Sequence, residues 1–304
     1  MKLGLMSAAL PDLSLPELID WSAGNGFEML ELACWPIGKS DRRYSGVTHV
    51  DVAALTQAKA SQIQALVTDA GLTISSLAYY PNPMHPNSEH RAAVHDHLRK
   101  VILAAEMLGV PIVGTFVGRE KDKNPNENFE HFGEVWTPLV QFAGEHGIKI
   151  AIENCPMLFS YDEWPGGNNL AISPVAWRRM FEIIPDKNFG LNLDPSHLLW
   201  QFIDAQRVVH DFKDRIFHVH AKDLRIDLEG LYQNGILSAG MGWQIPRLPG
   251  LGQVNWPAFI SALYEVGYDY VLSIEHEDRA FEGTEELVKR GFLIARDVLK
   301  PYLH

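Results

Sequence analysis

Short, nearly continuous apolar runs recur along the chain, and between them lie longer stretches in which apolar positions return every three or four residues. The runs are Lys2–Met6, Phe27–Ala33, Thr73–Ala78, Ile112–Val117, Lys149–Glu153, Phe189–Asp194, Ile216–Ala221 and Tyr270–Glu275. Continuous rather than alternating apolar character marks parallel strands covered on both faces. The first run belongs to Met1–Leu10, where Lys2 precedes an apolar stretch broken at Ser7 and ended by Pro11 and Asp12. It reads as a strand rather than as a signal peptide.

The intervening periodic stretches predict helices over Ser14–Asn25, Asp51–Ala70, His90–Leu108, Phe129–His146, Ser173–Ile184 and Val254–Val266. Ser14 with Glu17 three residues on has the form of a capping box, and Pro174 sits in a first helical turn. Gly26, Gly71, Gly109, Gly147 and Gly267 each stand between a helical stretch and the next strand, where a helix is expected to stop. Repetition of this strand–helix unit predicts an α/β fold, a single (β/α)8 TIM barrel covering residues 1–304. A doubly wound open sheet is the runner-up, but no GxGxxG follows the first strand. Two connections are long: Tyr79–Glu89 after the third strand, and residues 224–253 after the seventh, rich in Gly, Leu and Trp. Both fall on the side where barrel enzymes place their active sites.

Composition narrows the classes. Hydrophobic content of 46% suits a large core, and a net charge of −12 argues against nucleic-acid partners and anionic membrane surfaces. No run approaches the ~18 apolar residues of a membrane span. Two cysteines, Cys34 and Cys155, are too few for a disulfide framework, so a cytoplasmic setting is expected. A homo-oligomer is compatible with all of this.

Four of the apolar runs close on a metal-type ligand: Glu153, Asp194 with His197 three residues on, His220 and Glu275. Ionisable groups at the ends of buried strands are costly unless something pairs them. If these are the last four barrel strands, the ends converge at one mouth. Two Glu, one Asp and one His make a mixed O/N site for one divalent metal ion, best suited to Mn²⁺ and open to Mg²⁺, Co²⁺ or Zn²⁺. Glu153 and Glu275 would face each other across it. One carboxylate removes a proton beside a metal-bound carbonyl to give an enediolate, and the other returns it.

The segments Ile152-Glu153-Asn154, Leu193-Asp194-Pro195-Ser196-His197, His218-Val219-His220-Ala221-Lys222-Asp223 and Ile274-Glu275-His276 resemble the xylose-isomerase-like barrel superfamily, in the branch of sugar phosphate isomerases/epimerases with ketose 3-epimerases and inosose dehydratases. The resemblance runs over essentially the whole chain. It implies that Glu153, Asp194, His220 and Glu275 are the metal ligands, that Glu153 and Glu275 double as the acid/base pair, and that His197 contacts a substrate oxygen. Ketose 3-epimerases follow the seventh strand with a Gly-Glu pair and a substrate-binding Arg. Here Lys222 and Asp223 take that place, with Arg225 nearby.

Further substrate-contact candidates are Glu31, closing the second strand, Lys222 and Asp223 at the rim, Arg225, and His85 and Arg119 in the loops after the third and fourth strands. Trp35 and Trp243 are placed to stack on sugar C–H faces. Each has a plainer reading: buried Glu, rim ion pair, solvated loop residue, packing aromatic. His218 is expected to pack or to support His220, and the cysteines to be inert. The expected function is a metal-dependent sugar or keto-sugar isomerase/epimerase acting on a small-molecule carbohydrate. The alternative is a lyase on the same site, by dehydration or 3-keto-glycoside cleavage. An abasic-site endonuclease is remote, because the chain lacks extra His at the ends of strands two and four.

Overall fold

A computed structural model describes residues 1–38, 44–158, 167–237 and 242–304. Eight parallel strands close into a barrel: β1 (Lys2–Met6), β2 (Met29–Ala33), β3 (Thr73–Ala78), β4 (Ile112–Thr115), β5 (Lys149–Glu153), β6 (Phe189–Leu193), β7 (Ile216–Ala221) and, after an inserted hairpin, β10 (Val271–Ile274). Each neighbours the next in sequence, and β10 pairs with both β7 and β1, Leu272 opposite Val219 and Leu3. The architecture is the expected (β/α)8 TIM barrel. Every predicted run contains one of these strands, with ends shifted by two residues at most.

The helices α1 (Leu15–Gly24), α2 (Gln57–Asp69), α3 (Ser88–Leu108), α4 (Pro125–Glu145), α5 (Pro174–Ile183) and α9 (Trp256–Glu265) fall on the six predicted stretches. Ser14 and Glu17 form the capping box at α1, with the Ser14 N–H donating to Glu17 Oε2 at 2.9 Å. α2 starts later than the pattern suggests because Thr56 caps it, accepting from the Lys59 N–H. The glycines at 26, 71, 109, 147 and 267 all have φ between 63° and 76°. This left-handed turn, open to Gly without a Cβ penalty, sends the chain from helix back to strand.

Further helices lie outside the predicted set: α6 (Pro195–Leu199) and α7 (Ala205–Asp211) between β6 and β7, and α10 (Glu285–Leu299) after β10. α6 and α7 are too short to show a period. α10 does show one, burying Gly291, Phe292, Ala295 and Leu299 on one face. The long connection after β7 is folded too. β8 (Asp223–Ile226) and β9 (Gln244–Arg247) pair antiparallel, with α8 (Leu228–Asn234) between them. The stretch 238–241 of the predicted insertion lies outside the described residues. Among the described residues no helix is long and apolar enough to cross a membrane.

The barrel interior is not uniformly apolar. Towards the C-terminal ends of the strands it buries Glu31, Glu153, Asn192, Asp194, His218, His220, Ser273 and Glu275. Buried polar groups gathered at one end need mutual pairing or a ligand.

Candidate functional site

His220, last but one in β7, stands at the centre of this end. Its Nδ1 lies 3.3 Å from Glu153 Oε1 and 3.3 Å from Glu275 Oε2. Its Nε2 lies 2.9 Å from Glu31 Oε2. Glu31 is therefore an underpinning group, not one exposed at the mouth. It is fully buried, and it also accepts from the hydroxyls of Tyr80 at 2.7 Å and Ser273 at 3.0 Å. A carboxylate on one ring nitrogen fixes the orientation of the imidazole and directs the other nitrogen forward. Burial opposes the charge on Glu31, but the imidazoles of His220 and His218 outweigh it and hold the carboxyl down at about 2.

Asp194 splits its carboxylate between two tasks. Oδ1 accepts from the Ser196 N–H at 2.8 Å and so caps α6, while Oδ2 faces His197 Nε2 at 3.2 Å and Lys222 Nζ at 3.0 Å. Its backbone is held by a reciprocal pair with Asn154: Asp194 N–H to Asn154 Oδ1 at 2.7 Å, and Asn154 Nδ2 to the Asp194 carbonyl at 2.9 Å. Beyond these ion-pair contacts Asp194 Oδ2 and His197 Nε2 make no hydrogen bond, and His197 Nδ1 is buried without a hydrogen-bond partner among the described residues. Such orphaned donors and acceptors at a convergent site fit a missing ligand.

Lys222 reaches into the same cluster. Its Nζ lies 2.8 Å from Glu275 Oε2, 3.0 Å from Asp194 Oδ2, 3.3 Å from Glu277 Oε2 and 3.9 Å from Glu153 Oε1. These distances separate the two glutamates. Burial and the neighbouring Glu275 charge push Glu153 up to about 7. Burial also works against ionised Glu275, but the closer Lys222 ammonium and His220 hold it well below the usual carboxylate range. Burial raises Asp194, with Lys222 acting the other way. Burial and the same ammonium keep His197 neutral, well below its ordinary value.

The donor set fits a divalent cation. Ligand atoms of Glu153, His220 and Glu275 lie within 4.8 Å of one another, and so do those of Glu153, Asp194 and His197. Carboxylate oxygens and imidazole suit Mn²⁺, Mg²⁺, Co²⁺ or Zn²⁺. His218 sits one layer deeper, fully enclosed, between Asn192 Oδ1 at 3.0 Å and Ser75 Oγ at 3.2 Å. Burial brings it down to about 4.

Of the other candidates, Trp35 is brought close through Tyr80, whose ring lies 6.0 Å from the Trp35 ring and 5.8 Å from that of His220. Asp223 is turned elsewhere. Its carboxylate accepts from the N–H groups of Leu224, Gly250 and Val254 and from Trp256 Nε1, at 2.8–3.0 Å, which ties the inserted hairpin to α9. Arg225 is exposed on β8. His85 is occupied just before α3, where its Nδ1 accepts from the Asn87 N–H and its ring lies tilted 4.4 Å from that of His90. Arg119 is half-buried, its backbone paired in both directions with the Asn82 side chain. Trp243 is buried against Trp200, ring centroids 6.1 Å apart.

Tyr80, Asn154, Asn192, Ser273 and Glu277 were not singled out by sequence reasoning. Asn192 carried a usable signal: it lies two residues before Asp194 and so shares its strand face. Asn154 lies within the segment Ile152-Glu153-Asn154 but was given no role, and Glu277 stands next to Ile274-Glu275-His276. Tyr80 and Ser273 act through partners distant in the chain, and nothing local marks them.

Residues 19–298 match the xylose isomerase-like TIM barrel family, and the chain belongs to that family. The uncharacterized protein YfiH of Bacillus subtilis (strain 168) is 26% identical over 304 residues, which cover 91% of this chain and 93% of that protein. The structure of the probable 3-DHS dehydratase AsbF from Bacillus anthracis superposes with a TM-score of 0.72 at 16% identity, covering 99% of each chain. That of D-psicose 3-epimerase from Clostridium cellulolyticum H10 gives 0.71 at 15%, covering all of each. At these identities the two structures share the fold.

Proposed function

We propose that this chain is a divalent-metal-dependent enzyme that moves a proton at the carbon beside a carbonyl of a sugar or keto-sugar, as an isomerase or epimerase. The observation that carries the reading is the pair Glu153 and Glu275. They come from β5 and from the end of β10, both reach His220 Nδ1 at 3.3 Å, and their proton affinities are driven apart. Two carboxyls in environments that separate their pKa values assign themselves as acid and base.

In this reading Glu153, Asp194, His220 and Glu275 hold the cation, with Mn²⁺ the best match. Bound there, it supplies positive charge that lowers the cost of negative charge on the carbonyl oxygen. Glu275, ionised, takes the proton from carbon. Glu153, the carboxyl with the higher proton affinity, is ionised as a ligand, takes up a proton from solvent or a substrate hydroxyl, and delivers it to the opposite face. The C–H bond broken on one side is remade on the other, and composition is unchanged. Delivery to the adjacent carbon instead interconverts aldose and ketose. Glu31 fixes the His220 ring, His197 contacts a substrate oxygen, and Trp35 with Tyr80 offers an aromatic wall to a sugar face.

A second reading, a lyase, is favoured by Lys222. Loss of water or an aglycone needs a proton donor at the departing oxygen, and an ammonium stands within the carboxylate cluster. Both readings have fold relatives: the probable 3-DHS dehydratase and D-psicose 3-epimerase. The test is incubation with Mn²⁺ and candidate keto-sugars in deuterium oxide. Deuterium uptake with otherwise retained mass supports epimerisation, and loss of water or aglycone supports the lyase. A substrate turned over without exchange at that carbon sinks both.

A further inference from the structure

The Lys222 ammonium stands among the very oxygens that the proposed metal would use. Three of the oxygens around it, Asp194 Oδ2, Glu275 Oε2 and, farther off, Glu153 Oε1 at 3.9 Å, belong to proposed ligands, and a fourth, Glu277 Oε2 at 3.3 Å, does not. Lys222 is 2% exposed, so its ammonium must be satisfied by protein groups. Its backbone has little freedom: Ala221 ends β7, and Asp223 is locked by four hydrogen bonds. The mobile part is the four-carbon stem. Of the carboxylates around Nζ, that of Glu277 is the most exposed, with 17% of its side-chain surface accessible, which places it at the outer edge.

We propose that Lys222 is the internal counter-cation of the carboxylate cluster, and that Glu277 receives its ammonium when a divalent cation takes Asp194 and Glu275. The idea rests on the metal-dependent reading above. A cation at the ~2.0–2.6 Å of Mg²⁺ and Ca²⁺ oxygen contacts and an ammonium on the same oxygens repel each other. Metal entry therefore displaces Lys222, and the displacement weakens metal binding. Lys222 and Glu277 are positioning residues in this exchange. Without Lys222 the buried carboxylates repel one another until metal arrives.

The test uses the full chain, stripped with EDTA. Melting is followed with and without Mn²⁺, and Mn²⁺ affinity is measured by titration calorimetry. Lys222→Met is expected to melt lower than wild type in EDTA and to bind Mn²⁺ more tightly, by ~10-fold or more, as a competing buried charge is removed. A merely structural lysine would not tighten metal binding when removed. Unchanged or weaker Mn²⁺ binding by Lys222→Met overturns the proposal. Glu277→Gln keeps all four proposed ligands and Lys222, and is expected to weaken Mn²⁺ binding. Unchanged or tighter binding in that variant overturns the handover, and it decides the matter if Lys222→Met does not fold. If neither wild type nor Lys222→Met binds Mn²⁺, the metal-dependent reading fails. The melting of Lys222→Met in EDTA then decides the counter-cation role, and an unchanged melting temperature overturns it.

Discussion

Lys222 and Asp223 are consecutive, charged and buried, yet they serve different regions. Lys222 points into a cluster where carboxylates outnumber cations and where, among the described residues, His197 Nδ1 has no hydrogen-bond partner and Asp194 Oδ2 has ion-pair contacts alone. Asp223 points into the inserted hairpin, where four donors satisfy its two oxygens. A saturated buried carboxylate organises structure. A cluster of opposed charges with unfilled valences is stable only if something pairs it, and that marks chemistry. Two adjacent buried charged residues are told apart by how fully their partners satisfy them.

The largest effect is expected at the proton-carrying pair. Glu153→Gln and Glu275→Gln each remove a proton carrier and a ligand charge while keeping shape. Turnover should fall by roughly 10³-fold, within the range for general acid–base groups, with the circular dichroism of the wild type. Retained turnover in either variant would remove that residue from the mechanism. Asp223→Asn should do the reverse. It sets an amide against donors that now face a carboxylate, at a cost of about 3 kcal/mol. Denaturant unfolding should show the loss, while Mn²⁺ affinity of the folded fraction stays near wild type. A large change in affinity without a stability loss would place Asp223 in the site after all.

A smaller effect is expected one layer back. Glu31→Gln leaves His220 without the carboxylate on Nε2, and loss of such a partner costs roughly 10–100-fold in metal affinity. Titration with Mn²⁺ measures it. An unchanged affinity would mean that the contacts of Asn192 Nδ2 at 3.0 Å and the Tyr80 hydroxyl at 3.4 Å to His220 Nε2 suffice to orient the ring.

The barrel was legible because eight apolar runs are local, and because a left-handed Gly closes five of the helix-to-strand turns. The ligand-type residues were legible because strand ends are a place as well as a pattern. The support beneath them was not. Asn192 meets His218 across neighbouring strands, and Tyr80 meets Glu31 from 49 residues away, so both depend on register and closure. Asp223 looked like a rim group because its donors Gly250, Val254 and Trp256 lie 27, 31 and 33 residues downstream. Asp194 shows the limit from the other side. Helix cap and ligand are alternatives in a sequence, but a carboxylate has two oxygens and can do both.

The smallest predicted effect is a proton count, and it follows from the sign of one shift. Glu153 is raised from 4.5 to about 7 by burial and by Glu275. A raised carboxyl contributes stability that is fully present below 4.5 and is lost as pH climbs through about 7, so metal-stripped protein should weaken across that window. A ligand carboxylate must be ionised. At pH 6 Glu153 gives up a proton on binding metal, and at pH 8 it has already done so. Affinity should therefore climb with pH, roughly tenfold per unit well below the pKa, before this contribution levels off. His220, held well above its ordinary value by Glu31 and Glu275 against the opposing effect of burial, adds a release that persists through the same range. Calorimetry in two buffers of different ionisation enthalpy should find about one more proton released per Mn²⁺ at pH 6 than at pH 8. Equal release at both would mean that Glu153 is not the carboxyl that metal binding deprotonates.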